Sequence, residues 1–153
     1  MTALPEPSSG CLDGATHRYA VRVFYEDTDL SGVVYHANYL RWFERARSDL
    51  LRLLGIDQRA AVDAGEGAWA VADLSIRYAA PARLDDVVVI ASRVEELGAA
   101  SCRIHQTAHR DGHLLAEARL RIGFVDPAGR PRRQPAAWRQ AFAQFASAPE
   151  GPR

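Results

Sequence analysis

Two periodicities of apolar residues predict one strand and one long helix in the first third of the chain. Every second residue from Tyr19 to Tyr25 is β-branched or aromatic, and a period of two is typical of a strand. Between about Ala37 and Leu54 the apolar residues instead recur at helical spacing, and Gly55 ends the pattern. A polar loop at residues 26–32 joins the two elements.

The predicted helix has a wide apolar face. Its members are Tyr39, Trp42, Phe43, Ala46, Leu50, Leu53 and Leu54, with Leu40 and Leu51 widening the stripe. At roughly 100° per residue this sector exceeds what one-sided packing needs, so we expect a sheet to wrap around the helix. Arg47 also falls inside the sector, and a buried Arg needs a partner. We therefore predict a structural ion pair between Arg47 and either Glu44 or a loop carboxylate.

After Gly67 the chain has the pattern of strands separated by turns. Turn signals at Pro81, Gly98 and Asp111-Gly112 divide it. The four predicted strands are about Ala68–Tyr78, Asp86–Glu95, Ser101–His109 and Leu114–Val125. A short helix is predicted at about Trp138–Phe145. One strand, one long helix and four strands joined mostly by tight turns predict an α+β fold with an antiparallel sheet against the helix.

Composition limits the number of domains and the classes of function. The 153 residues fit one domain, which we place at residues 17–146, with disordered tails at 1–16 and 147–153. Basic and acidic residues both total 19, and a net charge of +0 argues against nucleic-acid binding. The chain has no run of about 18 apolar residues and no apolar signal region. We therefore expect no membrane span and a cytoplasmic location.

The polar segment before the helix carries the residues best suited to chemistry. Glu26, Asp27 and Asp29 lie within four residues of one another, and His36 follows where the helix should begin. The first turn of a helix presents unpaired N–H groups and a partial positive charge, which can stabilise an oxyanion. A nearby carboxylate can activate water or attack a carbonyl carbon. The segment therefore has the parts that acyl transfer needs.

Spacing alone leaves other interpretations of this segment open. Residues 27–32 match the start of an EF-hand calcium loop, but Asn38 occupies the twelfth position in place of the bidentate Glu. Asp27, Asp29 and His36 could ligate a transition metal, although such loose spacing is a weak signal. For Asp27 we favour a capping role at the helix start. The two cysteines lack metal-ligand spacing, and we predict no metal site.

The longest motif of the chain begins at Tyr25. It reads Tyr-Glu-Asp-Thr-Asp-x-x-Gly-Val-Val-Tyr-His-x-x-Tyr and is followed by Trp-Phe-Glu-Arg-Ala-Arg at residues 42–47. This run resembles the hotdog-fold acyl-CoA thioesterases, and among them the Tol-Pal-associated group akin to 4-hydroxybenzoyl-CoA thioesterase. The resemblance extends from about Tyr19 to Val125. It implies a five-stranded antiparallel sheet wrapped around one long central helix, and a homodimer or homotetramer with active sites at the subunit interface.

The resemblance also implies roles for individual residues. Asp29 matches the family's catalytic carboxylate, a general base for water or a nucleophile. His36 matches the histidine at the helix start, whose backbone N–H polarises the thioester carbonyl. Glu44 matches a position that faces the acyl group. From the residues alone, Arg132 and Arg133 are candidates for contact with CoA phosphates. The Lys+Arg total is 19 and the chain has no Lys, so only Arg can supply such a basic contact. A solvated loop explains this pair equally well.

The function predicted from these observations is hydrolysis of an acyl-CoA thioester to a carboxylic acid and free CoA. No cofactor is expected, since a carboxylate can hydrolyse a thioester unaided and the chain has no GxGxxG or P-loop motif. An acyl-carrier protein could carry the acyl group in place of CoA. The main alternative is a non-catalytic module that binds acyl-CoA or acyl-carrier protein. A hotdog hydratase or dehydratase is another, which the thioesterase motif disfavours.

Overall fold

The structure, a computed structural model, describes residues 2–149. Its strands are β1 (Cys11–Asp13), β2 (Thr16–Arg22), β3 (Ala68–Tyr78), β4 (Val87–Leu97), β5 (Ser101–Arg110) and β6 (His113–Val125). Its helices are α1 (Asn38–Leu53), α2 (Gln58–Asp63) and α3 (Ala136–Ala146), with a turn of 3-10 helix at Tyr25–Asp27. Each strand and helix predicted from the periodicity is therefore present, with ends that differ by a few residues.

The strands form one antiparallel sheet in the order β1-β2-β4-β5-β6-β3. This arrangement confirms the predicted α+β class and the antiparallel sheet. The sheet of the described residues has six strands where we predicted five, because β1 adds a short strand at one edge.

Strand β1 lies in the segment that we predicted to be a disordered tail, residues 1–16. That prediction is wrong from Cys11 onward, because β1 pairs with β2 through a reversal at Gly14, whose φ is +57°. Asp49 of α1 holds the residues just before β1 and accepts a hydrogen bond from the Gly10 N–H at 2.9 Å. Composition did not predict that this segment is ordered, because the Asp49 carboxylate that holds Gly10 is 39 residues away along the chain.

Helix α1 packs against the inner face of the sheet, as the width of its apolar face predicted. Its buried residues are Tyr39, Trp42, Phe43, Ala46, Leu50 and Leu51. The first four of these form one core with inward-facing residues of β2, β4, β5 and β6, whereas Leu51 packs with Phe142 in a second cluster. Burial of a side chain such as Phe43 stabilises the fold by about 1.5–3 kcal/mol. Leu40 and Leu53 remain 37% and 40% exposed. The sheet therefore covers less of the helix than the sequence predicted.

Arg47 is partly buried beside this core, but its partner differs from the prediction. Its Nη1 donates to Oε1 of Gln106 on β5 at 2.9 Å, and in residues 2–149 it makes no ion pair with Glu44 or a loop carboxylate. Gln106 in turn donates to the carbonyl of Phe43 at 3.0 Å and to Oγ of Ser92 at 2.9 Å. The neutral amide of Gln106 therefore gives the guanidinium a hydrogen-bond acceptor without burial of a second charge. Burial lowers the pKa of Arg47, and attraction to Glu44 opposes that shift.

Helix α3 packs against one end of the sheet. Phe142 is fully buried, and its ring lies 5.9 Å from that of Trp69 on β3. The helix ends at Ala146, and of the predicted tail at 147–153, residues 150–153 lie outside the described part of the chain. No helix within the described residues is long and apolar enough to cross a membrane.

The two edges of the sheet differ in length and chemistry. β1 has three residues and carries the ion pair of Asp13 with Arg18. β3 has eleven residues and contains no proline, and among residues 2–149 it pairs with β6 alone. Most of its side chains are exposed, among them Val71 at 50%. Such a long unpaired edge is a template for another strand.

Candidate active site

Asp29 begins a tight turn between the 3-10 helical turn and helix α1. Its N–H donates to the carbonyl of Val33 at 3.0 Å, and its own carbonyl accepts from the N–H of Gly32 at 3.0 Å. Gly32 has a φ of +80°, which favours glycine. A bridge between Thr28 and Val34 closes the loop. Backbone contacts therefore fix the position of Asp29 independently of the contacts of its side chain.

The carboxylate of Asp29 is exposed and is held through one oxygen. Oδ1 accepts hydrogen bonds from the N–H of Ser31 at 2.8 Å and from its hydroxyl, whereas Oδ2 has no donor among residues 2–149. The Ser31 hydroxyl is the main cause of a lowered pKa for Asp29, and the Ser31 N–H is the next. Slight desolvation opposes the shift, and His36 adds a smaller lowering. The group therefore stays ionised, with one oxygen open to a substrate or to water.

Replacement Ser31→Ala is expected to raise the pKa of Asp29, because it removes the hydroxyl donor and keeps the backbone one. A lowered pKa keeps the carboxylate ionised as pH falls, so activity that depends on this group is lost at a higher pH in the variant than in the wild type. The pH profile of kcat/KM measures this change. Ser31→Thr retains the hydroxyl and should keep the wild-type profile, whereas an unchanged acid limb in Ser31→Ala would contradict the role given to the hydroxyl.

Helix α1 begins without a side-chain cap. Ala37 occupies the N-cap position with no side-chain hydrogen bond to the first turn. Asn38 and Leu40 donate their N–H groups to the carbonyls of Tyr35 and Ala37, but within residues 2–149 the N–H groups of His36 and Ala37 have no acceptor. Uncapped N–H groups at a helix start are suited to an oxyanion.

Tyr78 at the end of β3 fixes the peptide at this helix start. Its hydroxyl donates to the carbonyl of His36 at 2.6 Å. Because the C=O and N–H of a trans peptide point in opposite directions, this bond orients the N–H of Ala37 away from the phenol. Burial raises the pKa of Tyr78, so the hydroxyl remains a donor. The sequence placed Tyr78 only as the end of a strand, and its contact with residue 36 depends on tertiary structure.

An open cleft of about 300 Å³ adjoins the helix start. Its lining includes Val34, His36, Tyr39, Tyr78 and Pro81. The ring of Tyr39 lies 5.7 Å from that of Tyr78, and burial raises the Tyr39 pKa. The cleft is thus largely apolar, with the unpaired N–H groups and the Asp29 loop beside it.

Comparison with known proteins identifies the family to which this loop, helix and sheet belong. Residues 23–147 match the thioesterase-like superfamily. The chain is a member of this superfamily. The match covers strands β3 to β6, the central helix and the candidate site, and together with the structural likeness it confirms the hotdog fold that the motif implied.

Several relatives of this thioesterase are similar over most of their length. Acyl-CoA thioesterase YbgC of Haemophilus influenzae is 40% identical over 108 residues, which are 71% of this chain and 79% of the relative. Acyl-CoA thioester hydrolase YbgC of Escherichia coli O6:H1 is 40% identical over 111 residues, 72% of this chain and 82% of the relative. The crystal structure of a probable thioesterase from Bartonella henselae has a TM-score of 0.75 and 35% identity, and the match covers 79% of this chain and all of that one.

Glu44, predicted to face the acyl group, is exposed on helix α1 of the thioesterase. It lies six residues beyond Asn38, or about 9 Å along the helix axis. Together with Arg47, Ser48 and Val71 it lines a second cavity of about 160 Å³ between α1 and β3. The structure therefore places Glu44 beside a cavity separate from the cleft at His36.

Arg132 and Arg133 lie at the other end of β3 from the candidate site of the same subunit. Nη1 of Arg132 donates to the carbonyls of Gly65 and Glu66, at 3.1 and 2.7 Å, just before β3 begins. Tyr78, which touches His36, is the last residue of that strand, and eleven residues of strand span roughly 30 Å. The fold of the chain therefore does not bring this arginine pair to Asp29.

The alternative metal sites receive no support from the geometry. Within the described residues no group of three or more His, Cys, Asp or Glu side chains is close enough to hold a metal ion. The carboxylate of Asp27, a possible ligand in the calcium interpretation, instead faces Asn38 and the backbone of Phe24.

Proposed function

We propose that this thioesterase hydrolyses acyl-CoA thioesters to a carboxylic acid and free CoA, with Asp29 as general base or nucleophile. The observation that supports the proposal most strongly is the structure at the junction between the Asp29 loop and helix α1. There the loop that holds a carboxylate with one open oxygen leads into the start of helix α1, where the N–H groups of His36 and Ala37 have no acceptor among residues 2–149. The names of the relatives as acyl-CoA thioesterase and acyl-CoA thioester hydrolase support CoA as the carrier.

In the base mechanism, Oδ2 of Asp29 takes a proton from water as the water oxygen bonds to the carbonyl carbon. The carbonyl oxygen becomes an oxyanion, which the N–H groups of His36 and Ala37 stabilise. Collapse of this intermediate breaks the C–S bond, and the CoA thiolate leaves and takes the proton. In the nucleophile mechanism, Asp29 attacks the carbon itself, the C–S bond breaks and the CoA thiolate leaves, so that a mixed anhydride remains. Water then hydrolyses this anhydride, which releases the carboxylic acid and Asp29, and the proton from the water goes to the thiolate. The lowered pKa of Asp29 supplies the ionised form that both mechanisms require.

The side chain of His36 is proposed to orient the substrate at this site. The imidazole is exposed, with its ring 4.5 Å from Tyr35 and 6.2 Å from Tyr78. It therefore stands at the mouth of the cleft, where it can contact the thioester or assist proton transfer. Glu44 is proposed to face the acyl group farther along α1, in the cavity that it lines with Arg47.

A homodimer joined through β3 is proposed to complete the site. In an antiparallel pairing of two β3 edges about a two-fold axis, the start of one strand lies beside the end of the other. Arg132 and Arg133 of one subunit would then approach His36 of its partner, although they are far from their own. This arrangement explains how basic residues at the start of β3 can meet the phosphates of a CoA bound at the end of β3. Pairing of two dimers would give the tetramer.

Replacement Arg133→Ala should raise KM for acyl-CoA about fivefold and leave kcat nearly unchanged, because an exposed charged contact contributes up to about 1 kcal/mol. Steady-state kinetics measure both constants. The same acyl group on N-acetylcysteamine, which has no phosphate, should show no change in KM. Arg139→Ala, at an exposed position of α3, is the matched control. Equal KM values for acyl-CoA in wild type and Arg133→Ala would exclude the phosphate contact.

The resemblance of residues 25–47 supports the proposal that the thioesterase belongs to the Tol-Pal-associated branch akin to 4-hydroxybenzoyl-CoA thioesterase. Composition supports the separate proposal of a cytoplasmic location. An acyl-carrier protein could present the thioester in place of CoA.

Thiol release from short-chain, long-chain and aromatic acyl-CoAs tests the proposed function. We expect turnover of at least one class, with equal amounts of free thiol and carboxylic acid, and the preferred class defines the acyl group. An acyl-carrier-protein thioester of that same acyl group tests the carrier. Tight binding of acyl-CoA without thiol release from any substrate would favour the non-catalytic binding module instead.

A further inference from the structure

Asp27 is a buried carboxylate in the loop that carries Asp29. Its side chain is 9% exposed, and both of its oxygens are engaged. Oδ1 accepts from Nδ2 of Asn38 at 2.8 Å, and Oδ2 accepts from the N–H of Phe24 at 2.7 Å. The Asp27 carbonyl also accepts from the N–H of Tyr35 at 2.9 Å. A buried charge with this many donors is held in one orientation.

These contacts join the two halves of the candidate site. Asp27 lies two residues before Asp29, and Asn38 is the first residue of α1, directly after the uncapped N–H of Ala37. Other loop contacts, such as the hydroxyl of Thr28 on the carbonyl of Tyr25, tie the loop to itself. The Asp27–Asn38 hydrogen bond is the side-chain link from the loop to the helix.

Asp27 does not cap the start of helix α1, where the sequence favoured that role, but its carboxylate accepts the N–H of Phe24, the N-cap residue of the 3-10 turn at Tyr25–Asp27. A capping carboxylate would accept the backbone N–H groups of the first turn and would occupy the position of an oxyanion. Asp27 instead accepts the side-chain amide of Asn38, and Ala37 is the N-cap residue. The loop is thus fastened to the helix while the N–H groups of His36 and Ala37 remain without an acceptor in residues 2–149.

We propose that Asp27 and Asn38 are positioning residues that set Asp29 at a fixed distance from the backbone N–H groups of His36 and Ala37. This inference rests on the proposed function, because it gives Asp29 a catalytic role. Displacement of a catalytic group by about 1 Å can cost roughly a hundredfold in rate. Loss of the link should therefore lower kcat more than it raises KM.

A reciprocal exchange of the two side chains tests the link. Asn38→Asp places two carboxylates in contact, and we expect kcat to fall at least about tenfold with a smaller change in KM. In the double variant Asp27→Asn/Asn38→Asp, the new amide at position 27 can donate to the new carboxylate at position 38 and still accept from Phe24. Its kcat should return to within about threefold of the wild type. Asp27→Asn alone should be mild, because the Asn38 amide can rotate to present its oxygen.

Thermal midpoint and kcat per folded molecule, measured for all three variants, separate positioning from stability. A positioning role predicts that kcat falls in Asn38→Asp samples that remain folded and recovers in the double variant. Unchanged kcat in folded Asn38→Asp, or no recovery in the double variant, would overturn the proposal. Asp29→Asn serves as the reference: if it is inactive while Asn38→Asp is fully active, only the positioning role fails. If Asp29→Asn is fully active, the proposed function fails and the positioning role fails with it.

Discussion

Ala72→Lys is expected to convert the dimer that we propose into a monomer of 16.8 kDa and to lower kcat/KM by more than about tenfold. Ala72 is exposed near the middle of β3, at a bulge where the register passes from Val71 to Asp73 and leaves it without a partner on β6. A Lys on a strand edge blocks pairing, and a two-fold axis would bring two copies of the charge together. Sedimentation equilibrium measures the mass, and thiol release at the same protein concentration measures the activity.

Leu12→Lys is the matched control for this variant. Leu12 is 44% exposed on β1, the opposite edge of the sheet, so the same charge is introduced onto an exposed edge strand away from β3. This control should keep the mass and the activity of the wild type. A wild-type protein that is fully active as a monomer, or an Ala72→Lys variant that remains dimeric, would show that β3 is not the dimer edge.

Local periodicity was sufficient to predict most of this fold. The helix around Phe43 and the strands after Gly67 follow from spacing, because their apolar faces pack against each other in the native core. The width of the helix face also predicted the enclosing sheet correctly. Leu40 and Leu53 are exceptions, since the periodicity does not distinguish a position covered by the sheet of one subunit from a position at its margin.

The spacing of residues did not predict the features that depend on contacts between residues far apart in the sequence. β1 is held by pairing with β2 and by Asp49, a residue on a helix that follows much later in the chain. Arg47 donates a hydrogen bond to the side-chain amide of Gln106, 59 residues away. It does not form the ion pair with its helical neighbour Glu44 that we predicted. In both cases the partner comes from another element, and no local pattern marks it.

The candidate site likewise has some residues that the sequence predicted and others that it did not. A loop of carboxylates before a helix made Asp29 and His36 candidates, and the resemblance of residues 25–47 gave them their proposed roles. The structure places both residues in the segment between the 3-10 turn and helix α1. The sequence did not predict the contributions of Ser31, Tyr78 and Asp27, because each acts through hydrogen bonds whose direction is set by folding.

Asp29→Asn should lower kcat at least about a hundredfold, with little change in KM. The amide oxygen can still accept both hydrogen bonds of Ser31, so the turn is retained, but the amide can neither take a proton from water nor act as an equivalent nucleophile. Because the side chain is exposed, we expect the thermal midpoint to stay near that of the wild type. Steady-state thiol release, together with thermal unfolding, measures both effects.

The most direct test is the rate of thiol release in a single turnover, with enzyme in excess over acyl-CoA, for the wild type, Asp29→Asn and Asp63→Asn. Asp63 is an exposed carboxylate on α2 and serves as the control. We predict rapid release by the wild type and by Asp63→Asn, and release at least about a hundredfold slower by Asp29→Asn. Equal rates for Asp29→Asn and the wild type, or acyl-CoA binding by the wild type without thiol release, would contradict the assignment of Asp29 to thioester hydrolysis.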